Sequence, residues 1–277
     1  MKANTSLLRL GTSSWSCPDW VGRFYERGTP PADFIAAYAR KLDTVEIDAT
    51  FYATPRRSVV EGWRERTPET FLFAAKAPQL ITHGKCLAGC GGELSAFLEV
   101  MSVLGSRLGP ILFQFPYFSK ASGMTKDELL RRLTPFLATL PNGFQWAVEI
   151  RNKSWLGKPL FDLLAEHRTA LALIDHPWMC RPNELFARKG VLTGPFAYIR
   201  WLGDRYAIEK VTTTWNETVV DRRHDAEEWA PHLQELIERR FPVFGYVNNH
   251  YAGYAPDTLA LIHDLLDAYS DQPSRYL

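Results

Sequence analysis

The sequence contains few cysteines and no long uninterrupted apolar segment. The four cysteines, Cys17, Cys86, Cys90 and Cys180, form no Cys-x-x-Cys pair and are too few to staple a chain of 277 residues with disulfides. No apolar run approaches the roughly 20 residues that span a bilayer, and the first residues lack the apolar segment of a secretory signal. These absences predict a cytoplasmic protein with free thiols and no contact with a membrane.

The sequence also lacks an excess of either charge. Lysine and arginine number 32 against 31 for aspartate and glutamate, which gives a net charge of +1. Domains that bind nucleic acid usually carry a clear basic excess, so nucleic acid is not the favoured partner, although a local basic patch stays compatible with this balance. The composition, 46% hydrophobic, is that of an ordinary globular domain and leaves the oligomeric state open.

Motifs for metals and dinucleotides are absent too. His83, Cys86 and Cys90 could supply half of a zinc site, but no second pair follows at zinc-ribbon spacing, and no His-Glu-x-x-His motif occurs. The turn Gly11-Thr-Ser-Ser-Trp-Ser does not match the Gly-x-Gly-x-x-Gly loop that binds dinucleotides. The sequence therefore requires no cofactor, and a divalent metal held by carboxylates and imidazoles stays an open alternative.

The chain does contain eight short apolar runs at fairly regular intervals. They predict strands over residues 8–14, 44–51, 72–77, 110–115, 146–152, 170–176, 196–202 and 243–251. Helical patterns between them predict helices over residues 31–42, 58–66, 93–108, 125–137, 158–167, 225–240 and 256–269. The sixth connection offers only a short helix, near residues 183–189, or a loop.

This alternation of strands and helices demands a parallel sheet with right-handed crossovers. We interpret it as an α/β protein with a TIM-barrel-like (β/α)8 fold, in which residues 1–277 form a single domain with a barrel core at about residues 7–269. A doubly wound open sheet is the alternative, and it would require the glycine-rich turn that is absent.

Two acids interrupt the second predicted strand. Successive side chains of an extended chain alternate between faces, so Glu46, Asp48 and Tyr52 share one side of residues 44–52 while apolar side chains occupy the other. Ionised carboxylates are costly to bury without partners. The other strands are therefore expected to supply cations that face Glu46 and Asp48.

Polar residues also mark the carboxyl ends of the other strands, and long loops follow at residues 15–29, 78–92, 177–195 and 203–224. In TIM barrels this end carries the active site. The residues expected at the mouth are Ser13, Ser14, Glu46, Asp48, Lys76, Gln114, Glu149, Arg151, Asp175, His176, Arg200, Asn248, Asn249 and His250. A core that needs only packing would carry branched apolar residues here, so the set predicts a ligand site, whereas each residue alone also fits a ring of ion pairs.

Three of these residues are the candidate catalytic groups. Glu46 and Glu149 lie on different strands, so their environments and protonation states can differ, as acid/base chemistry requires. Lys76 could transfer a proton or form a Schiff base if desolvation lowers its pKa, and it could equally pair with a carboxylate. Arg151 and Arg200 suit a ligand carboxylate or phosphate, or the acids Glu46, Asp48 and Glu149 themselves.

The other candidates are expected to contact the substrate. Asparagine side chains can orient hydroxyl groups, histidines can shuttle protons, and a tryptophan at a strand end can stack on a sugar or base. The substrate-binding set comprises Asp48, Tyr52, His83, Gln114, Arg151, Trp155, Asp175, Arg200, Asn248, Asn249 and His250.

Several motifs along the chain closely resemble those of the YecE-like family, the domain of unknown function 72. They are Gly11-Thr-Ser-Ser-Trp-Ser, Thr44-Val-Glu-Ile-Asp-Ala-Thr-Phe-Tyr, Phe73-Ala-Ala-Lys-Ala-Pro, Leu112-Phe-Gln-Phe-Pro, Glu149-Ile-Arg, Tyr198-Ile-Arg-Trp and Tyr246-Val-Asn-Asn-His. The resemblance implies a TIM-barrel-like fold and a polar pocket built from these residues, but no particular reaction. His250 stands where many members have aspartate and Ser14 where they often have glycine, so a mechanism that needs a carboxylate at position 250 is in doubt.

We therefore predict an enzyme, a hydrolase or an isomerase, that applies acid/base chemistry at the barrel mouth to a small anionic substrate resembling a sugar or a nucleotide. One alternative is a metal-dependent phosphodiesterase that acts on nucleic acid, which rests only on analogy between barrel folds. Another is a barrel that binds a ligand or partner without converting it.

Overall fold

Eight parallel strands form the wall of a barrel in this protein. The structure, a computed structural model, describes residues 7–270. The strands are β1 (Leu8–Thr12), β2 (Thr44–Ile47), β3 (Leu72–Lys76), β4 (Leu108–Gln114), β5 (Trp146–Glu149), β6 (Ala170–Asp175), β7 (Ala197–Trp201) and β8 (Val243–Val247). Hydrogen-bonded neighbours follow the order β1-β8-β7-β6-β5-β4-β3-β2, so strands consecutive in sequence are adjacent in the wall. The predicted TIM-barrel-like (β/α)8 fold is confirmed.

Helices occupy the connections between the strands. They are α1 (Phe34–Tyr38), α2 (Arg57–Glu65), α3 (Gly91–Met101), α4 (Lys126–Ala138), α5 (Lys158–Glu166), α6 (Pro182–Phe186), α7 (Arg205–Ile208), α8 (Arg223–Glu238) and α9 (Ala255–Ser270). The sixth connection holds only the five-residue α6, as predicted. None of the helices within residues 7–270 is both long and apolar enough to cross a membrane.

Three strands end at least three residues earlier than predicted. Strand β2 stops at Ile47, and Asp48–Phe51 turns into a 3-10 helix in which the Thr50 hydroxyl donates to the carbonyls of Ile47 (2.8 Å) and Lys76 (2.7 Å). Strand β8 stops at Val247 because the Asn248 side chain accepts the backbone N–H of His250 at 2.9 Å. Strand β5 stops at Glu149. After β2 and β8, side chains that bond the local backbone compete with strand pairing. The predictions over 44–51, 146–152 and 243–251 were too long.

The barrel closes between β1 and β2 without a ladder of backbone hydrogen bonds among the described residues. The hydroxyl of Tyr38, from α1, lies in this junction, where it accepts the N–H of Thr12 (2.9 Å) and donates to the carbonyl of Thr44 (3.2 Å). A Cβ on Gly11 would lie 2.2 Å from that same carbonyl oxygen, so only glycine fits there. The Tyr38 hydroxyl, this close backbone contact and the ion pair of Arg9 on β1 with Asp43 (2.9 Å), the residue before β2, therefore join the first and second strands.

The barrel interior is packed at its amino-terminal end with small residues opposite aromatic ones. Alanines on β3, β5 and β6 face Phe196, which precedes β7, together with Tyr198 on β7 and Phe244 and Tyr246 on β8. The rings of Tyr198 and Tyr246 are 5.3 Å apart. A larger apolar layer between the strands and the surrounding helices completes the core. This filled interior supports the layer of polar side chains nearest to the mouth.

Candidate functional site

The polar layer follows directly from the two-residue period of the strands. Inward-facing positions recur every second residue, so Arg200 lies beyond Tyr198 and Glu149 beyond Ala147. The same rule puts Lys76 beyond Ala74 and Gln114 beyond Leu112. The apolar interior thus gives way to charged and amide groups at the carboxyl ends of the strands.

Arg200 lies at the centre of a buried ion cluster. Its Nη2 donates to Glu46 Oε1 at 2.7 Å and its Nη1 to Glu149 Oε2 at 2.5 Å. The Tyr198 hydroxyl donates to Glu46 Oε2 at 2.6 Å, and Arg151 Nε donates to Glu149 Oε1 at 2.7 Å. Every oxygen of the two carboxylates therefore has a donor, which offsets the cost of burying their charges.

These bonds fix the charges of the cluster. Burial alone would raise the pKa of Glu149, but the guanidinium groups of Arg200 and Arg151 outweigh it and lower that pKa to about 2. Burial disfavours the charged form of Arg200, and the attraction of Glu149 and Glu46 nevertheless raises its pKa well above the ordinary value of an arginine. Burial, together with the negative charge of Glu46, raises the pKa of Tyr198 well above 10. Glu149 and Arg200 thus stay ionised, and Tyr198 stays protonated, near neutral pH.

Lys76 and Asp48 form a second pair beside this cluster. Lys76 Nζ donates to Asp48 Oδ1 at 2.7 Å, and the side chains are 6% and 34% exposed, respectively. The ammonium also lies 4.1 Å from the ring centroid of Phe51. Burial, and next the charge of Arg200, lower the pKa of Lys76, while Asp48 and Glu46 oppose that change. The pair therefore combines a desolvated amine with a carboxylate that reaches solvent.

Two histidines of the mouth are held neutral. His83 follows β3 in a π-helical turn, Leu80–Gly84, and burial with the charges of Arg151 and Lys76 lowers its pKa to about 4. Its Nδ1 lies 2.9 Å from the hydroxyl oxygen of Thr82. Burial and Arg151 also lower the pKa of His176. Both imidazoles are uncharged near pH 7, so they can offer one donor and one acceptor nitrogen.

His250 and its neighbours are bonded to one another. His250 Nδ1 lies 2.6 Å from Asn248 Oδ1, and its Nε2 lies 3.2 Å from Glu209 Oε1. Burial lowers the pKa of His250 against the opposing influence of Glu209. Asn249 Oδ1 accepts the N–H of Ala255 at 3.0 Å. These residues therefore fix the turn that follows β8.

Some predicted site residues lie apart from the charged centre. Asp175 Oδ2 accepts from Trp229 Nε1 (2.7 Å) and from the hydroxyl of Tyr251 (2.9 Å), behind strand β6. Burial raises the pKa of Asp175 despite these bonds. The Gln114 side chain is buried and donates to the carbonyl of Phe115 at 2.9 Å. Both residues are engaged within the protein rather than directed at a free ligand.

Two predicted aromatic contacts lie outside the charged centre. Trp155 stacks on Phe118, with ring centroids 5.5 Å apart and planes at 14°. Tyr52 is 66% exposed and contacts the ring of Phe51 edge-on, at 5.4 Å. Because the chain turns at Asp48, Tyr52 does not continue the face that carries Glu46. The expectation that residues 46, 48 and 52 share one strand face was therefore wrong.

A basic cleft opens beside Arg151. It has a volume of about 720 Å³, and its lining includes Tyr117, Arg151, Lys153, Trp178 and Arg188. The rings of Tyr117 and Trp178 are mostly exposed. Cations beside exposed aromatic faces suit a negatively charged ligand that carries a flat ring.

Sequence reasoning missed Tyr198 and the cleft residues Tyr117, Lys153 and Arg188. Tyr198 could have been found from the strand period, because it precedes Arg200 by two residues on the same inward face. The cleft residues lie on loops after β4, β5 and β6, where no periodic pattern marks a position. Within residues 7–270, no three His, Cys, Asp or Glu side chains are grouped as metal ligands.

The sequence matches a known family over nearly the whole barrel. The profile described as "Protein of unknown function DUF72" matches residues 9–276. The chain belongs to the DUF72 family. Membership confirms the resemblance drawn from the strand-end motifs, which include the residues of the buried ion cluster.

Curated relatives of this DUF72 protein include two bacterial sequences. It is 34% identical over 152 residues to the UPF0759 protein YecE of Escherichia coli, a match that covers 55% of this chain and 51% of that protein. The chain thus spans about half the length of that relative. It is 27% identical to the UPF0759 protein YunF of Bacillus subtilis, over 98% of this chain and 99% of that one.

Solved structures of DUF72 proteins share the fold. A member from Thermotoga maritima is 23% identical with a TM-score of 0.68, and the match covers 94% of this chain and 99% of that one. A member from Enterococcus faecalis is 22% identical with a TM-score of 0.67, over 94% and 98% of the two chains. These similarities support the barrel architecture.

Proposed function

We propose that this DUF72 protein is an enzyme that transfers protons to or from a small anionic substrate at the barrel mouth. A sugar- or nucleotide-like compound, converted by hydrolysis or isomerisation, suits the site best. The observation that carries the proposal is the Lys76–Asp48 pair, in which a nearly buried amine with a lowered pKa contacts a partly exposed carboxylate at 2.7 Å. General acid/base catalysis works best when the pKa of the catalytic group lies near the operating pH.

The basic cleft supports the anionic character of the substrate. Arg151 lines the cleft and also bonds Glu149, so one guanidinium joins the buried cluster to the ligand space. Tyr117 and Trp178 could stack on a sugar or base ring beside it. We propose that the anionic group of the substrate lies against Arg151 while its reacting carbon lies near Lys76.

The two glutamates take a different part from the one their sequence positions suggest. Glu46 and Glu149 are candidate proton carriers by sequence, yet each has both carboxylate oxygens occupied by donors. A carboxylate whose pKa is about 2, as for Glu149, is a weak base at neutral pH. We therefore assign Glu46 and Glu149 the role of holding Arg200 and Arg151 in place.

Lys76 then performs the proton transfer. As a free amine it would accept a proton from the substrate, and the resulting ammonium would be stabilised by Asp48 and by the ring of Phe51. Neutral His83 can donate a hydrogen bond to an oxygen that gains charge in the same step. Residues 7–270 contain no group of three His, Cys, Asp or Glu side chains that could hold a metal ion, so the metal-dependent alternative lacks structural support.

The setting that we propose is the cytoplasm. All four cysteines are free and buried, which fits a compartment where thiols stay reduced.

Competitive acetylation of Lys76 at a series of pH values, quantified by mass spectrometry, tests the state of the amine. We expect its reactivity to rise at a lower pH than the ordinary lysine pKa of about 10.4 allows. Asp48→Asn should move that midpoint lower still, because Asp48 raises the pKa of Lys76. A midpoint at or above about 10.4 in both proteins would contradict the proposal.

A panel of sugar phosphates, nucleotides and hydroxy acids, followed by proton and phosphorus NMR, tests for conversion. Lys76→Met should abolish turnover of any compound converted, whereas Lys158→Met, an exposed lysine of α5, should leave it unchanged. Full turnover by Lys76→Met would refute the assigned role. Retention of a compound without conversion would favour the ligand-binding alternative instead.

A further inference from the structure

A second pocket lies at the ends of β1 and β8, and Asp48, the partner of Lys76, belongs to its lining. We infer that this polar pocket is a subsite for an uncharged, hydroxyl-bearing part of the substrate. The inference rests on the proposed function, since it assigns a second portion of the same substrate. The pocket has a volume of about 230 Å³, and its lining includes Ser13, Cys17, Trp20, Asp48, Asn248 and Asn249.

Two residues of this lining carry buried polar atoms without a hydrogen-bond partner, which a bound group could satisfy. Within residues 7–270, three buried side-chain atoms lack a hydrogen-bond partner, and two of them, Ser13 Oγ and Trp20 Nε1, belong to residues of its lining. Ser13 is 4% exposed and Trp20 is 1% exposed. Leaving a buried donor or acceptor unpaired costs about 1–3 kcal/mol, so native proteins rarely keep such groups without a use.

The charges around the pocket select a neutral group. Of the described residues that line it, none is lysine or arginine, and Asp48 contributes a carboxylate. An anion would be repelled by Asp48 and would find no cation, whereas the basic cleft offers Arg151. A hydroxyl group both donates and accepts, so it can donate to Asp48 and accept from Trp20 Nε1 or Ser13 Oγ.

The size of the pocket agrees with a short polyol segment. At about 30 Å³ for each water-sized group, 230 Å³ holds roughly seven or eight non-hydrogen atoms, about the size of a three- or four-carbon polyol. Asn248 Oδ1 is occupied by the backbone N–H of His250, which leaves Nδ2 as a further donor for such a fragment.

The thiol in the pocket is suited to contact rather than to chemistry. Burial, and next the charge of Asp19, raise the pKa of Cys17 to about 11, so the sulfur stays protonated near neutral pH. Thiolates, not thiols, are nucleophiles. Asn249 Nδ2 also donates to this sulfur at 3.6 Å. The pocket therefore binds the hydroxyl-bearing part of the substrate, and the reaction takes place at Lys76.

The indole N–H of Trp20 provides a direct probe of occupancy by proton–nitrogen NMR, with its resonance assigned from Trp20→Phe. Titration with glycerol, erythritol and D-ribose should move this resonance, and inorganic phosphate should not. Ser13→Ala should raise the midpoint concentration about threefold to tenfold, as expected for one lost hydrogen bond. Ser58→Ala, an exposed serine of α2, is the matched control and should not change it.

Two results would overturn the inference. The first is a Trp20 resonance that none of the polyols moves, which would mean that the pocket holds ordered water only. The second is a response to phosphate equal to that for D-ribose, which would make the pocket an anion site. The titration needs no turnover, so it is independent of the test of Lys76. If polyols move the Trp20 resonance while Lys76 is acetylated with the midpoint pH of an ordinary lysine, the subsite stands and only the proposed function is refuted.

Discussion

Replacing Arg200 with methionine tests whether the buried ion cluster holds the mouth together. The change removes the guanidinium that bonds both Glu46 and Glu149, and both carboxylates stay fully buried. Breaking a buried ion pair by removing one partner costs about 3–5 kcal/mol. At about 2 °C for each kcal/mol in a domain of this size, we expect Tm to fall by roughly 6–10 °C.

The pH dependence of this loss separates electrostatics from lost packing. In the wild-type protein the pKa of Glu149 is about 2 against an ordinary value of 4.5, which corresponds to roughly 3 kcal/mol at about 1.36 kcal/mol per pKa unit. That contribution is fully present above pH 4.5 and is lost as the pH falls towards 2. In Arg200→Met, burial is opposed by Arg151 alone, so the pKa of Glu149 rises. The stability deficit should therefore be larger at pH 8 than at pH 4.

Urea unfolding at pH 4, 6 and 8, together with thermal scans, measures this deficit. Arg239→Met is the matched control, because Arg239 forms an exposed ion pair with Glu235 on α8, where such pairs are worth about 0–1 kcal/mol. A deficit for Arg200→Met below about 1 kcal/mol at every pH would refute the account of the cluster. A loss of about 3–5 kcal/mol in the free energy of unfolding that is the same at every pH would show that lost packing, not lost charge, causes it.

Three further substitutions and one glycine control test individual contacts through the change in Tm. Tyr198→Phe leaves one oxygen of the buried Glu46 without its donor and should cost about 1–3 kcal/mol; an unchanged Tm would contradict that bond. Gly11→Ala should destabilise strongly because its Cβ meets a carbonyl oxygen at 2.2 Å, whereas Gly62→Ala on α2, with nothing within 4 Å, should stabilise by about 0.5–1 kcal/mol. If both alanines acted alike, close packing at the barrel junction would be ruled out. Asn152→Ala removes two bonds to the backbone of the loop after β4, at 3.0 and 2.9 Å, and should cost about 1–3 kcal/mol; a neutral result would show that water replaces both.

The strand pattern was sufficient to predict the barrel, but not where its strands end. Buried parallel strands read as apolar runs, and this signal is strong over β1 to β8. The ends depend on single side chains that bond the local backbone, such as Thr50 after β2 and Asn248 after β8. These bonds replace the next pair of ladder bonds, and a pattern averaged over several residues does not resolve them.

The candidate site was predictable in composition but not in its pairing. Strand periodicity brings Glu46, Glu149 and Arg200 to the mouth, yet Glu46 and Arg200 are 154 positions apart in the sequence, and only barrel closure unites them. The sequence left Arg200 as either an anion binder or a partner of the acids, and the structure gives it two carboxylates. The unpaired state of Ser13 and Trp20 could not be predicted either, because it depends on the three-dimensional surroundings of each atom.

The junction between β1 and β2, where the Tyr38 hydroxyl lies, separates two parts of the mouth. Strand β1 leads into Ser13 and the polar pocket, while β2 leads into Asp48, the partner of Lys76. A slide of β1 along β2 breaks the bonds of the Tyr38 hydroxyl and those of Arg9 with Asp43, whereas a slide at any other junction breaks a ladder of backbone hydrogen bonds. Under the proposed function, Ser13 of the subsite and the Lys76–Asp48 pair therefore lie across the junction that has no ladder among the described strands. A shift at this junction would change the distance from Ser13 to Lys76, and with it the length of substrate that the mouth accepts.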